Sequence, residues 1–274
     1  LKIKGFFTIK IMRSNFSQKY KSELYHFIDQ ALKEDIGSGD HSGKSCITET
    51  AKSSAKLLVK EEGVLAGMEL AKVIFHQYDP NLTFHPLIEE GAYVTKGAVP
   101  FEVEGNTQSI LATERLILNC LQRMSGIATL TNKLSQKIKH TSCRLLDTRK
   151  TTPNFRYPEK WAVQIGGGTN HRMGLFDALM IKDNHVDFCG GMTQALQKTE
   201  QYLNSLPKQL EVVVEARNLD EIKAILIFPW VSRILLDNFT SEELVTAVEL
   251  IDKKLPTEAS GNITDKNLVE MAET

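Results

Sequence analysis

From residue 144 onward the chain repeats one grammar: a short apolar run closes on polar or charged residues, and a helical stretch follows. RLLD leads into TRK, ALMI into KDNH, EVVVE into AR, ILLD into NF and TEAS into GN, with MTQALQKTEQYLN, LDEIKAILIF and SEELVTAVELIDKKL between several of them. Strands separated by helices pair in parallel through crossover connections, so this half is expected to be α/β. In such folds the loops at the carboxyl ends of the strands converge on one rim. The residues expected there are Asp147, Arg149, Lys150, Lys182, Asp183, Glu215, Asp237 and Ser260. An Asp or Ser in such a place also caps the following helix, which for any one of them is as good a reading as a functional one. Capping explains Arg149, Lys150 and Lys182 poorly.

The first of these runs opens the most distinctive block, RLLDTRKTTPNFRYPEKWAVQIGGGTNHRMGLFDALMIKDNH from Arg144 to His185. It gathers Arg144, Arg149, Lys150, Arg156, Lys160, Arg172 and Lys182 against Asp147, Glu159, Asp177 and Asp183, in a chain whose net charge is -1. The excess of cations is local, which points to a site for an anionic substrate. The near-neutral total gives no global field for nucleic acid. Cys46, Cys120, Cys143 and Cys189 are scattered, without metal-ligand or disulfide-framework spacing, and fit reduced thiols in the cytoplasm. The longest apolar stretches, such as ILIFPWV, fall far short of the roughly 20 residues that cross a bilayer, so no membrane role is expected.

Three regions are expected. Residues 1–11 read as an upstream extension, with Met12 the more natural start. Residues 12–107 read as an α+β domain: a helix carrying Leu24, Phe27, Ile28, Ala31 and Leu32, a loop DIGSGDHSG, then β-prone runs around the helix MELAKVIFHQYD. Residues 108–274 read as the α/β domain, entered through helical sequence to His140 with a break at Ser125 and Gly126. Gly166, Gly167 and Gly168 suit either a close backbone approach or a plain turn. Trp161 and Trp230 read as packing anchors.

The motifs EDIGSGD, ERLILNCLQRMSGIATLT, LLDTRKTTP, EKWAV, GGGTNHR, MIKDNH, VVVEAR, LLDN and EASGN, running in this order from Glu34 to Asn262, make the chain resemble the quinolinate phosphoribosyltransferases, also called carboxylating nicotinate-nucleotide pyrophosphorylases. The resemblance implies an α/β barrel of the TIM-like, seven-stranded type, incomplete here, with an N-terminal α+β sandwich domain. It implies transfer of phosphoribosyl from 5-phosphoribosyl 1-pyrophosphate to quinolinate with decarboxylation. The products are nicotinate mononucleotide, pyrophosphate and CO2, a step of de novo NAD biosynthesis, and the cofactor is Mg2+.

The implied site follows residue by residue. Arg149, Arg172 and a helix-borne Arg115 suit the carboxylates of quinolinate, because guanidinium forks match carboxylate geometry. In the family the residue matching Arg115 reaches into the neighbouring subunit's site, which implies a homodimer. Thr148, Lys150, His171 and Lys182 match positions around substrate and phosphates. Glu215 and Asp237 match acids near the ribose and its magnesium, and with Lys150 they form the implied catalytic set. Ser260, Gly261 and Asn262 match a phosphate-binding turn, with Asn262 standing where many members have a second Gly.

Two departures from the family pattern stand out. VVVE replaces EVEV, so Val213 stands where a carboxylate is usual. The sequence also stops at VEMAET, before a further strand and a Gly-containing phosphate loop that family members carry. Three alternatives remain: a lyase using Lys150 or Lys182 as a Schiff base, an inactive or nucleotide-binding homologue, and a branch acting on another pyridine carboxylate.

Overall fold

A computed structural model describes residues 15–274; the expected extension over 1–11 and the start at Met12 lie outside them. The chain forms two compact units. One holds the chain through Ser135 together with Leu145–Asn170, and the other holds Gln136–Arg144 with His171–Thr274.

The first unit begins with α1 (Phe16–Lys19) and α2 (Lys21–Ile36), which buries Leu24 and Ile28 and stops at Gly37, whose φ of 53° suits a residue without Cβ. Within the expected loop DIGSGDHSG a short helix begins, α3 (His41–Cys46), because the Asp40 carboxylate accepts the Gly43 N–H at 3.0 Å and starts it. Strands β1 (Lys52–Lys56) and β2 (Gly63–Val64), helix α4 (Met68–Tyr78), and strands β3 (Thr83–Pro86), β4 (Tyr93–Val94) and β5 (Phe101–Asn106) follow. They make an antiparallel sheet in the order β1-β5-β3 and a β2-β4 pair. Along β5 the buried Phe101 and Val103 alternate with exposed Glu102 and Glu104, the pattern of a half-buried strand. Phe101 packs with Phe84 and with Phe75 of α4 at ring-centroid distances of 4.7 and 6.1 Å. The N-terminus of α4 has no cap from its own Gly67. Glu90 accepts from the N–H groups of Gly67, Met68 and Glu69 instead, at 2.7, 3.3 and 3.0 Å.

Helix α5 (Thr107–Lys137) corrects the expected break at Ser125 and Gly126, because it runs through both. Its buried stripe continues from Ile110, Ile117, Leu121 and Met124 to Ala128 and Thr131 without losing register. The Ser125 hydroxyl bonds both the N–H and the C=O of Ala66, at 3.0 and 3.1 Å. A mid-helix Gly costs only about 1 kcal/mol, less than this packing returns. Helix α6 (Arg156–Ile165) completes the unit, with Trp161 stacked on Phe16 at 5.4 Å.

A second correction concerns RLLD, which forms no strand. It makes one parallel bridge, Leu146 to Thr169, closed by Asp147 N–H to Thr169 O at 3.1 Å and Thr169 N–H to Leu145 O at 2.8 Å. The partner is Thr169, directly after the glycine triplet, and the pairing there is a single isolated bridge. Gly166 and Gly168 are there for close approach: a Cβ would lie 2.5 Å from Ala128 O at the first and 2.7 Å from Val163 Cγ1 at the second. Gly167, at φ 93°, makes the turn.

The second unit is α/β. Strand β6 (Ala178–Ile181), helices α7 (Asp183–Cys189) and α8 (Met192–Ser205), β7 (Glu211–Ala216), α9 (Leu219–Ile225), β8 (Arg233–Asp237), α10 (Ser241–Ile251), β9 (Thr257–Ser260) and α11 (Leu268–Ala272) follow in order. The four strands form a parallel sheet, β6-β7-β8-β9. Val212, Val214, Ile234 and Leu236 of the two central strands are buried among Leu196, Ile222, Ile225 and Ala247 from the helices. No helix among the described residues is long and apolar enough to cross a membrane.

Candidate active site

In the second unit the parallel register places successive strand ends side by side. Ile181 pairs with Val214, Glu215 with Leu235, and Asp237 with Ser260. Lys182, Glu215, Asp237 and Ser260 therefore occupy the carboxyl edge of four adjacent strands. Lys182 Nζ lies 3.6 Å from Glu215 Oε2, with the lysine half exposed and the carboxylate 6% exposed. Burial pushes the Glu215 carboxyl above its ordinary range. Lys182 works against that shift, and the nearby Asp237 and Asp183 carboxylates add to it. This edge thus concentrates negative charge around one ammonium.

The turn after β9 is built onto the end of β8. Asp237 Oδ1 accepts from the Ser260 hydroxyl at 2.5 Å, and Asn238 N–H donates to Ser260 O at 2.8 Å. Gly261, at φ 83°, passes so close that a Cβ would lie 2.1 Å from Asn238 Oδ1. Asn262 sits in the left-handed region at φ 55°, where Asn is tolerated, and its amide donates to Asn238 Oδ1 at 3.2 Å. The neighbouring His171 Nε2 faces Glu258 Oε2 at 3.3 Å, and Arg172 Nη1 donates to Ala178 O at 3.1 Å. Val213, at the position where the family pattern has a carboxylate, is 4% exposed within β7.

In the first unit, Thr148, Arg149 and Lys150 are exposed on a loop whose two ends are clamped by consecutive residues of α6. Lys160, fully buried, pairs with Asp147 at the loop's start, and Asn170 donates to the other Asp147 oxygen at 2.5 Å. Glu159 accepts from the Thr152 hydroxyl at 2.8 Å and its N–H at 3.2 Å at the loop's end, with Arg123 Nε on the same carboxylate at 2.9 Å. Within the loop the Thr148 hydroxyl accepts the Lys150 N–H at 3.0 Å. Arg115 is exposed on α5.

The expected site residues therefore divide between the units. Arg115, Thr148, Arg149 and Lys150 belong to the first; His171, Arg172, Lys182, Glu215, Asp237, Ser260, Gly261 and Asn262 belong to the second. Sequence reasoning gave no role to Arg123, Asn170, Asn238 and Glu258, which hold them, and counted Lys160 and Glu159 only in the charged block, where Lys160 is in fact fully buried on Asp147 and offers no charge to a substrate. One signal was available. EKWAV places Glu and Lys beside Trp161 and Ala162 in a helix buried on most sides, where a charge needs a partner.

Among the described residues no group of three or more His, Cys, Asp or Glu side chains is arranged to hold a metal by itself. Glu215 and Asp237 offer hard oxygen donors, which fit a magnesium ion that keeps waters and substrate phosphate in its shell.

Known proteins match this chain over both units. The family model for the quinolinate phosphoribosyl transferase N-terminal domain matches residues 40–125, and that for the C-terminal domain matches 127–274. The chain is 41% identical over 267 residues to the mitochondrial quinolinate phosphoribosyltransferase (decarboxylating) 2b of Nicotiana tabacum, covering 92% of this chain and 76% of that protein. It is 42% identical over 251 residues to a probable nicotinate-nucleotide pyrophosphorylase (carboxylating) of Synechocystis, covering 90% and 83%. The solved nicotinate-nucleotide pyrophosphorylase of Francisella tularensis superposes with a TM-score of 0.82 at 38% identity, covering 92% of this chain and 88% of that one. With both family domains matched in order and relatives above 40% identity across nine tenths of its length, this chain belongs to the quinolinate phosphoribosyltransferase family.

Proposed function

We propose that the chain transfers phosphoribosyl from 5-phosphoribosyl 1-pyrophosphate to the ring nitrogen of quinolinate and releases CO2, giving nicotinate mononucleotide and pyrophosphate for NAD biosynthesis. The observation that carries the reading is the row of strand ends Lys182, Glu215, Asp237 and Ser260, in a chain of this family. In this reading the N-terminal domain is 12–107 and the barrel domain 108–274 along the sequence, while residues 108–135 and 145–170 group with the first compact unit. The four cysteines, all free, fit a reducing cytoplasmic setting.

Arg149 and Arg172 take the carboxylates of quinolinate as bidentate ligands, and Thr148, Lys150, His171 and Lys182 hold the remaining anionic groups. Arg115 serves the site of a second protomer in a homodimer. Glu215 and Asp237 bind the ribose hydroxyls and favour the positive charge that grows on the anomeric carbon as pyrophosphate departs. They are also the residues that would hold Mg2+, which when bound offsets charge on the leaving pyrophosphate. The Ser260–Asn262 turn takes the 5-phosphate on the N–H groups of Gly261 and Asn262, beyond the β8–β9 ladder in which Ser260 ends.

After transfer the ring nitrogen is cationic and stabilises the carbanion left on the adjacent ring carbon when its carboxylate leaves as CO2, and a proton from water then takes the place of the carboxylate on that carbon. The protein then has only to hold the ring in place. The test is incubation with quinolinate, 5-phosphoribosyl 1-pyrophosphate and Mg2+, followed by chromatography. Nicotinate mononucleotide is expected with quinolinate and not with nicotinate; product from nicotinate alone would refute the dicarboxylate assignment. Borohydride trapping of Lys150 or Lys182 with a carbonyl substrate would instead support the Schiff-base lyase.

A further inference from the structure

We propose that Glu258 is a positioning residue, whose carboxylate on β9 holds the His171 imidazole as its Nε2–H tautomer and thereby fixes the His171–Arg172 pair. The functional consequence rests on the reading above, in which that pair binds the pyridine dicarboxylate.

The tautomer follows from the hydrogen bonds. The Arg172 backbone N–H donates to His171 Nδ1 at 2.7 Å, so this nitrogen is an acceptor and the ring proton resides on Nε2. Nε2 is buried and faces Glu258 Oε2 at 3.3 Å. The second carboxylate oxygen, Oε1, accepts from Arg233 Nη1 at 2.5 Å. The His171 and Glu258 side chains are only 12% and 7% exposed, so water is a poor substitute for either partner. Burial alone would raise the Glu258 carboxyl, yet His171 and Arg233 hold it below its ordinary range, and it remains a carboxylate.

Both neighbours of Glu258 are donors, so the position demands two acceptor oxygens. Glutamine offers one. With its oxygen on Arg233 it turns an N–H toward His171 Nε2, and with its oxygen on His171 it turns an N–H toward the guanidinium. The constraint passes along the chain from there. His171 Nδ1 holds the Arg172 backbone, and the Arg172 guanidinium is held on Ala178 O at the start of β6. Glu258 thus links β9, two residues before Ser260, to the segment that enters β6.

Nitrogen-15 NMR of the uniformly labelled chain reads the tautomer without reference to activity. The expected His171 signature is an unprotonated Nδ1 with a protonated Nε2, and a proton on Nδ1 would overturn the proposal. In kinetics, Glu258→Gln is expected to raise KM for quinolinate by about tenfold or more, with a smaller change in kcat. Glu258→Gln with Arg233→Gln should recover most of that loss, because the new side chain at position 233 accepts an N–H from the new amide at position 258 and leaves that amide's oxygen for His171. Unchanged KM in the single variant would contradict the proposal, as would a double variant no better than the single at equal melting temperature. Should the wild-type chain make no nicotinate mononucleotide, the functional reading fails, while the same NMR measurement on wild type and Glu258→Gln still decides the role of Glu258: a changed His171 nitrogen signature supports it, and an unchanged one overturns it.

Discussion

Replacing Lys160 by Met tests whether α6 holds the Thr148–Lys150 loop through its buried ion pair. The Lys160 side chain is 0% exposed and its partner Asp147 is 6% exposed. Neither charge can rehydrate when the other is removed, so the cost should be that of a broken buried pair, about 3–5 kcal/mol, rather than the ~0–1 kcal/mol of a surface pair. Asn170 still donates to Asp147, which favours the lower end of the range. At roughly 2–4 °C per kcal/mol for a domain of this size, the melting temperature should fall by about 10 °C. Because Asp147 immediately precedes Thr148, Arg149 and Lys150, kcat/KM should fall by at least about tenfold even well below the melting transition. Lys160→Met with Asp147→Asn removes both charges while leaving an acceptor for Asn170, and should recover more than half of the stability. Chemical denaturation of the wild type, both single variants and the double variant gives the coupling energy directly. A single-variant cost under about 1 kcal/mol, with a double variant no more stable than Lys160→Met, would refute the account of the loop.

Glu215→Gln should lower kcat by about 100-fold or more and yet raise the melting temperature at pH 7. The native Glu215 carboxyl is raised above its unfolded value of 4.5, so its ionised form costs stability that grows as pH rises through the raised value. The gain should vanish at about pH 4, where the group is largely neutral in both states, and a pH-independent gain would contradict this sign. Glu90→Ala leaves the N–H groups of Gly67, Met68 and Glu69 uncapped; urea denaturation should show a loss of about 1–3 kcal/mol, and a loss under about 0.5 kcal/mol, within the scatter of surface changes, would argue against the cap. Arg149→Lys should weaken quinolinate binding by about tenfold in calorimetry, since an ammonium cannot reproduce the fork, and should leave 5-phosphoribosyl 1-pyrophosphate binding within a few-fold.

The strands that carry the second unit's rim were legible because each is apolar enough to announce itself: ALMI, EVVVEA and RILLD become β6, β7 and β8, and even the weaker TEAS becomes β9. The same rule misled at RLLD. An apolar run shows that a segment is buried, whereas a strand also needs a neighbour to pair with, and Thr169, directly after the glycine triplet, offers one isolated bridge. Ser125 and Gly126 carried a local helix-breaking signal that the continuous buried stripe of α5 outweighs. The DIGSGDHSG segment hid the start of a helix because its single capping carboxylate, Asp40, sits among glycines.

The candidate site shows the same division between local and distant information. Arg149, Lys150, Lys182, Glu215 and Asp237 stand beside strand or loop signals and could be named in advance. The buried roles of Glu159, Lys160 and Glu258 could not, because a charged residue reads as solvated or ligand-binding until its partner is known. Those partners lie elsewhere along the chain: Arg123 for Glu159, Asp147 for Lys160, and His171 with Arg233 for Glu258.

Phosphoribosyl transfer and decarboxylation of a pyridine dicarboxylate are expected to proceed as one coupled reaction on this chain. Quinolinate labelled in the carboxylate next to the ring nitrogen, incubated with 5-phosphoribosyl 1-pyrophosphate and Mg2+, measures that coupling directly. Labelled CO2, pyrophosphate and nicotinate mononucleotide are expected in equal amounts, with no CO2 when 5-phosphoribosyl 1-pyrophosphate is left out. Release of CO2 without it, or pyrophosphate formed without labelled CO2, would contradict the account.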